Sequence, residues 1–333
     1  MERQAADAAA ADDIEPSIKA LYQEAQGRPV HALLARYGRE RLFVPPLLWD
    51  HRQPALLQCR FLPLETPAPP LPPAPPMPEL FWKPLPPDDE MTTTESLQDT
   101  ANADYAHELL EGRYPLDDLG YTGEHVVFRY GRKRLCHVGH ACVLGPRIVF
   151  LVNSTIRSLR DHMIRDRFPG ARQSSRIFAI ARRRFTPPES MPDPYIAAIC
   201  IALAQSHVAH QEEMDRLERR AEERRKEKEK NGRNAKPVQM KQLDQDVGGQ
   251  PGPKPTQATP VVVVVHEGEH LSVFAADVTA AFLAKLDEPN KPPPPGASMD
   301  IHQQRVPFHP YETFAGRYAG AVRDTRHSRR PDD

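Results

Sequence analysis

The most regular apolar pattern in the chain begins at Asp193-Pro194. An aspartate accepts hydrogen bonds from the first amides of a helix, and proline fits the first helical position. Residues 195–205 (YIAAICIALAQ) are apolar around almost the whole circumference of a helix, which predicts that its first three turns are buried. We therefore predict a buried helix over 194–211.

The same helix changes character beyond residue 211. Residues 212–230 hold eight acids and eight bases, and several pairs place the acid four positions before the base, as in Glu222 and Lys226. No apolar seam continues past Leu217 and Ala221, so the pattern does not predict a sustained coiled coil. It predicts a solvated, coiled-coil-like charged helical arm.

Short β-branched and aromatic runs predict the strands. Residues 125–153 contain three such runs joined by glycine turns, which is typical of an antiparallel meander, and 176–185 is predicted as a further strand. Valines 261–265 and the run 270–275, on either side of Glu267-Gly-Glu269, predict a hairpin. With helices over 155–168, 194–211 and 277–286 on one face, the fold class is α+β, built on a small antiparallel sheet.

Proline marks the irregular parts of the chain. The 333 residues include 37 prolines, about twice the usual ~5%. The predicted organisation is an N-terminal helical and extended segment that is partly ordered (1–64), a Pro-rich and polar linker (65–103), an α+β core (104–288) interrupted by the charged helix and a disordered insert (212–260), and a Pro-rich, mostly irregular tail (289–333).

Charge and cysteine content limit the protein class and the compartment. The chain has 44 basic and 45 acidic residues, which argues against a globally basic nucleic-acid coat. It contains no run of 18 apolar residues, and residues 1–13 lack the apolar stretch of a secretory signal. Four cysteines are too few for a disulfide scaffold. We expect an intracellular protein, cytoplasmic or nuclear, with no membrane segment.

Part of the chain resembles a group of uncharacterised proteins of filamentous fungi. The resemblance spans 193–289, roughly a third of the chain, and within that span the similar residues are 193–205, the valine strand and 271–289 (LSVFAADVTAAFLAKLDEP). In that group a buried helix, a β-hairpin and a short helix recur around variable linkers. The resemblance implies a shared α+β core and a fungal source. No activity is established for the group, so it implies no functional residue.

One short stretch concentrates metal-binding residue types. Two thiols and two imidazoles, the zinc ligands most common in proteins, fall within seven residues at Cys136, His137, His140 and Cys142. On a regular strand His137 would point away from the other three, so a zinc site would need a bend at Gly139. The alternative is two small apolar cysteines on a core and two surface histidines. We assign no metal and no other cofactor.

Familiar catalytic motifs are absent from the sequence. It contains no G-x-S-x-G elbow, P-loop, G-x-G-x-x-G or H-E-x-x-H. We therefore favour a non-enzymatic protein. The alternative is an enzyme or metal-binding protein whose site is assembled from scattered residues, with 136–142 as its only local candidate.

The proline run 67–78 is the clearest functional signal. It contains overlapping P-x-x-P, which favours polyproline II, the conformation that SH3, WW and EVH1-type domains bind. An aromatic pair follows it closely. The alternative is a spacer whose aromatic pair docks back on the fold. The candidate partner-binding residues are Pro69, Pro70, Leu71, Pro72, Phe81 and Trp82.

A basic segment supports a further alternative. Residues 157–184 contain nine arginines and two aspartates, a charge pattern that can contact phosphates with strong salt dependence. The same arginines could instead cover a core helix with their aliphatic stems. We therefore predict an interaction or scaffold protein that uses the Pro-rich segment and the charged arm, with nucleic-acid binding through 157–184 as a second alternative.

Overall fold

The run of valines at 261–265 lies in the interior of a six-stranded sheet, as its continuous β-branched character favours. The computed structural model describes residues 17–37, 44–63, 126–131, 133–137, 142–143, 147–168, 174–188, 191–233 and 258–327. In chain order these contain α1 (17–25), α2 (Val30–Arg36), a 3₁₀ helix (Pro46–Leu48), α3 (Arg52–Leu56), β1 (Cys59–Pro63), β2 (Val127–Tyr130), β3 (Lys133–His137), β4 (Cys142–Val143), β5 (Ile148–Val152), α4 (Asn153–Arg167), α5 (Ser175–Phe185), α6 (Pro194–Arg233), β6 (Thr259–His266), β7 (His270–Val278), α7 (Ala280–Asp287), β8 (Met299–Pro307) and α8 (Tyr311–His327).

The α+β class is confirmed, and the sheet is mixed. Its order is β1-β8-β7-β6-β5-β4, with antiparallel β6 and β7 forming the predicted hairpin. The expectation of a purely antiparallel sheet is wrong, because β5 pairs with β6 and β1 pairs with β8 in parallel. The parallel β5–β6 pair requires a crossover, which α4, α5 and α6 provide.

Both faces of the sheet are covered. Val261, Val263 and Val265 pack with the start of α6 and with α7, whereas Val262 and Val264 pack with Phe314 and Tyr318 of α8. Helices were predicted on one face only, and the segment 289–333, expected to be mostly irregular, contains β8 and α8. A strand that is apolar on both sides needs two covering layers, and α8 supplies the second.

Residues 176–185 form a helix, so the prediction of a strand there is wrong. Ser174 caps α5 by accepting a hydrogen bond from the Ile177 amide at 3.4 Å. Phe178, Ala181 and Phe185, which share one helical face, pack near Ile164 of α4. Ile177 and Ile180 lie on a neighbouring, exposed side of the helix, and the packing of the apolar face on α4 favours a helix over the predicted strand.

The N-terminal segment packs on the core. β1 forms one edge of the sheet, and Trp49 is fully buried with its ring 5.3 Å from that of Phe128 in an edge-to-face contact.

β2 and β3 form a separate two-stranded ribbon instead of continuing the predicted meander. The predicted linker 65–103 lies outside the described residues, and so do residues 234–257 of the predicted insert. No helix in the described ranges has the length and apolar character needed to cross a membrane.

Candidate functional site

α6 changes from a core helix to an exposed arm without interruption. Its 40 residues are continuous, residues 195–204 are buried, and the side chains of 211–227 are exposed apart from the half-buried Asp215. We call residues 211–233 the arm; at 1.5 Å per residue it is about 35 Å long. The predicted buried helix and its solvated extension are therefore one structural element.

The arm carries short-range ion pairs and two exposed apolar side chains. Lys226 and Glu222 form the predicted pair at 2.8 Å, and Arg216 pairs with Glu213 at 2.9 Å. Exposed pairs of this kind contribute little to stability. Met214 and Leu217 are 39% and 48% exposed, respectively. Since they are three residues apart, they lie on the same side of the helix.

A buried ion pair fixes the start of α6. Arg160 of α4 is 1% exposed, and its Nη2 donates to both carboxylate oxygens of Asp193 at 2.7 Å. Its Nε donates to the Leu47 carbonyl at 2.8 Å, while Asp193 accepts from the Tyr195 amide at 2.9 Å. One guanidinium therefore joins α4, the 3₁₀ helix and the cap of α6, and so sets the direction in which the arm leaves the core.

His51 lies beside this ion pair. Burial lowers its pKa to about 4 despite the opposing effect of Asp193, so the ring is neutral at pH 7. Its Nε2 is buried without a hydrogen-bond partner. His51 therefore adds no charge beside the Arg160–Asp193 pair at pH 7.

The arginine-rich segment forms the surface of the α4–α5 pair. Arg160 is buried, Arg172 lies outside the described residues, and the other seven arginines are exposed: 157, 165, 167, 176, 182, 183 and 184. Arg165 lies 4.6 Å over the Phe178 ring and Arg182 pairs with Asp161 at 3.1 Å, so these two cover the helix pair as the alternative interpretation expected.

The outer side of α5 combines arginine with exposed isoleucine. Residues 176, 177, 180, 183 and 184 lie within an arc of about 120° around the helix axis, at 100° per residue. Ile177 is 44% exposed and Ile180 is 63% exposed. We call this surface the arginine face; it consists of Arg176, Ile177, Ile180, Arg183 and Arg184.

The predicted metal-binding residues are divided between two sheets. Cys136 lies in β3, opposite Phe128 of the two-stranded ribbon, whereas Cys142 lies in β4, opposite Phe150 of the main sheet. His137 ends β3, and His140 lies outside the described residues. Within the part of the chain that the structure describes, no group of three metal-binding side chains occurs. The zinc hypothesis stays a prediction.

The proline-segment candidates Pro69, Pro70, Leu71, Pro72, Phe81 and Trp82 all lie outside the described residues. Partner binding there also stays a prediction.

α7 contains a buried lysine that the sequence did not predict. Lys285 of α7 is 2% exposed, and its Nζ donates to the Leu57 carbonyl at 2.7 Å, the Ala297 carbonyl at 2.6 Å and Gln58 Oε1 at 3.2 Å. Burial lowers its pKa to about 8. All three ammonium protons have acceptors, so the side chain ties α7 to the start of β1 and to the loop before β8. A single lysine in a short helix gives no signal of burial.

The β6–β7 turn carries a serine, a histidine and a carboxylate. Ser272 Oγ donates to Glu267 Oε2 at 2.7 Å, and His270 Nε2 lies 2.8 Å from the same oxygen. Burial raises the pKa of Glu267, but His270, Ser272 and the charge of Arg305 together outweigh this effect, and the net pKa is lowered. The serine faces the carboxylate instead of the imidazole, so the arrangement is not that of a serine nucleophile with a histidine base. It stabilises the turn.

Two described thiols are buried. Burial raises the pKa of Cys59 to about 12 and also raises that of Cys200, so both are protonated at neutral pH. Neither has the thiolate character that nucleophilic cysteine chemistry requires.

No protein-family model, curated protein or solved structure matches this chain.

Proposed function

We propose that this protein is a non-enzymatic interaction protein, in which a folded α+β core presents a charged helical arm and a proline-rich segment to partners. The observation that supports the proposal best is the continuity of α6 from complete burial to exposure. Tertiary packing normally supplies most of the stability of a helix. Among its described side chains, residues 211–227, the arm has weak surface ion pairs and two exposed apolar side chains, a combination that suits a surface for another protein.

The anchoring of α6 supports the same proposal. The Arg160–Asp193 pair and the buried residues 195–204 hold the first turns rigidly in the core. Because the helix is uninterrupted, the arm has a defined direction at its base. A partner can therefore bind a preformed helix and loses little affinity to ordering it.

Site-specific photocrosslinking in native extract tests the arm. A photoreactive residue replaces Glu223 on the arm, and the matched control replaces Lys291, which is exposed beyond α7. We expect a discrete crosslinked protein from position 223 and none from position 291. The same products from both positions, or none from position 223, would contradict the role of the arm.

The proline-rich segment is tested separately. Affinity capture with the full chain is compared with capture by a variant lacking 63–87, using mass spectrometry. We expect proteins with polyproline-binding domains to be retained by the full chain and lost with the deletion. If the captured proteins are unchanged, the prolines act as a spacer and the arm alone carries the proposal.

The exposed arginines of α4 and α5 favour a second candidate function, contact with a nucleic-acid backbone. Binding to duplex DNA and to single-stranded RNA is measured at low and physiological salt, with Arg176→Gln/Arg183→Gln as the comparison. This function predicts that affinity falls steeply with salt and that the variant shows a smaller salt slope. An affinity that does not change with salt excludes it.

A further inference from the structure

The large apolar side chains that are exposed in the described ranges form two pairs. Ile177 and Ile180 lie on α5, and Met214 and Leu217 lie on the arm. Each pair has a spacing of three residues on a helix, so each pair shares one side of its helix. The protein thus has two small apolar surfaces, each on a helix that is exposed on that side.

The two apolar pairs have surroundings of opposite charge. Residues 174–188 contain no acid, and Arg176, Arg183 and Arg184 flank the isoleucines. Residues 212–218 contain four acids and one base. At 100° per residue, Glu213 and Glu218 lie on either side of Met214 and Leu217. One surface is therefore basic and apolar, and the other is acidic and apolar.

We propose that the arginine face of α5 in one copy of this protein binds residues 211–218 of the arm of a second copy. Met214 and Leu217 contact Ile177 and Ile180, and arginines of α5 pair with Glu213 and Glu218. Guanidinium groups suit this role because they bind carboxylates through two parallel hydrogen bonds. The inference rests on the proposed function, since it names a partner for the arm.

Each copy carries both surfaces, so two copies can form the contact twice. A two-fold dimer places the arm of each copy on α5 of the other and covers both apolar pairs. The α5 of the same chain does not cover the arm, because residues 211–214 and 216–218 are exposed within one chain.

The isoleucines distinguish this partner from a nucleic acid. Phosphates would engage the arginines and leave Ile177 and Ile180 in water, and the ring of Phe178 packs inward, towards α4. Pairing of two arms with each other would likewise leave both isoleucines uncovered. The acidic, apolar start of the arm matches both the arginines and the isoleucines of the arginine face.

Charge reversal on each surface tests the proposal by sedimentation equilibrium over a wide range of protein concentration. One variant carries Arg176→Glu, Arg183→Glu and Arg184→Glu, and the other carries Glu213→Lys and Glu218→Lys. All five positions are exposed, and circular dichroism checks the fold. We expect the wild type to approach twice the monomer mass, and each variant alone to self-associate about tenfold or more weakly.

Mixing provides the decisive comparison. An equimolar mixture of the two variants, and a single chain carrying all five changes, should both regain the dimer, because each again opposes acid with base. Lys291→Glu, an exposed reversal away from both surfaces, should leave the mass unchanged.

Three results would overturn the inference: a wild type that stays monomeric at low salt, a dimer that survives the α5 reversal, or no recovery on mixing. The second result would indicate pairing between arms. If the wild type is monomeric and binds DNA, and the α5 charge-reversal variant does not bind DNA, the arginine face would instead be a nucleic-acid surface. The proposed function fails separately, when position 223 crosslinks no protein, including a second copy.

Discussion

Arg160 and Asp193 are separated by 33 residues in sequence, yet one guanidinium nitrogen of Arg160 lies 2.7 Å from both oxygens of Asp193. The pair is almost completely removed from water on the arginine side, where only 2% of the side chain is exposed. It joins α4 to the cap of α6 and thus connects the arginine-rich helices with the helix that becomes the arm.

Loss of one partner of this pair should destabilise the core strongly. Asp193→Ala leaves the buried charge of Arg160 without its counter-ion and removes the cap of α6, and we expect a loss of about 3–5 kcal/mol in unfolding free energy. Urea denaturation followed by circular dichroism measures it. The double variant Arg160→Met/Asp193→Ala should be less destabilised than Asp193→Ala, and a larger loss in the double variant would contradict the explanation.

Lys285 should make stability depend on pH in the alkaline range. Its pKa is lowered to about 8 in the folded protein from a reference value of 10.5. Between these values the unfolded chain binds more protons than the folded one, so the contribution of this group to stability rises with pH. The unfolding free energy of the wild type minus that of Lys285→Met should therefore increase from pH 8 to pH 10.

The matched variant removes other titrations from this comparison. The tyrosines are present in both proteins, so their contributions largely cancel in the difference. The pKa of Cys59 is raised to about 12 by burial, and loss of the nearby Lys285 charge raises it further, so the folded-state thiol stays protonated in this range in both proteins. A difference that stays flat from pH 8 to pH 10 would show that the amine keeps its ordinary pKa.

The zinc content of the purified protein tests the metal-binding hypothesis for residues 136–142. Cys136 and Cys142 lie in strands of different sheets, so a bound ion would have to link the two-stranded ribbon to the edge of the main sheet. We expect the purified, untagged protein to contain no more zinc than a Cys136→Ala/Cys142→Ala variant, as measured by elemental analysis. One zinc ion per chain in the wild type that is absent from the variant would support the metal-binding alternative.

Much of the fold follows from local sequence. The apolar run 195–204 predicts a buried helix because every side of it avoids water, and Val261–Val265 predicts an interior strand for the same reason. The charged composition of 212–230 predicts the exposed arm. In each case the composition of one segment is enough to predict whether it is buried or exposed, because its residues are nearly all apolar or nearly all polar.

The tertiary structure alone decides the partners of these segments. α5 is a helix because its apolar residues pack against Ile164 of α4, and β8, whose residues 302–305 are all polar, becomes a strand between β7 and β1. The burial of Arg160 and Lys285 is equally invisible in sequence, because the carbonyls and the carboxylate that satisfy them are distant along the chain. Long-range hydrogen bonds and sheet register, not local periodicity, determine these features.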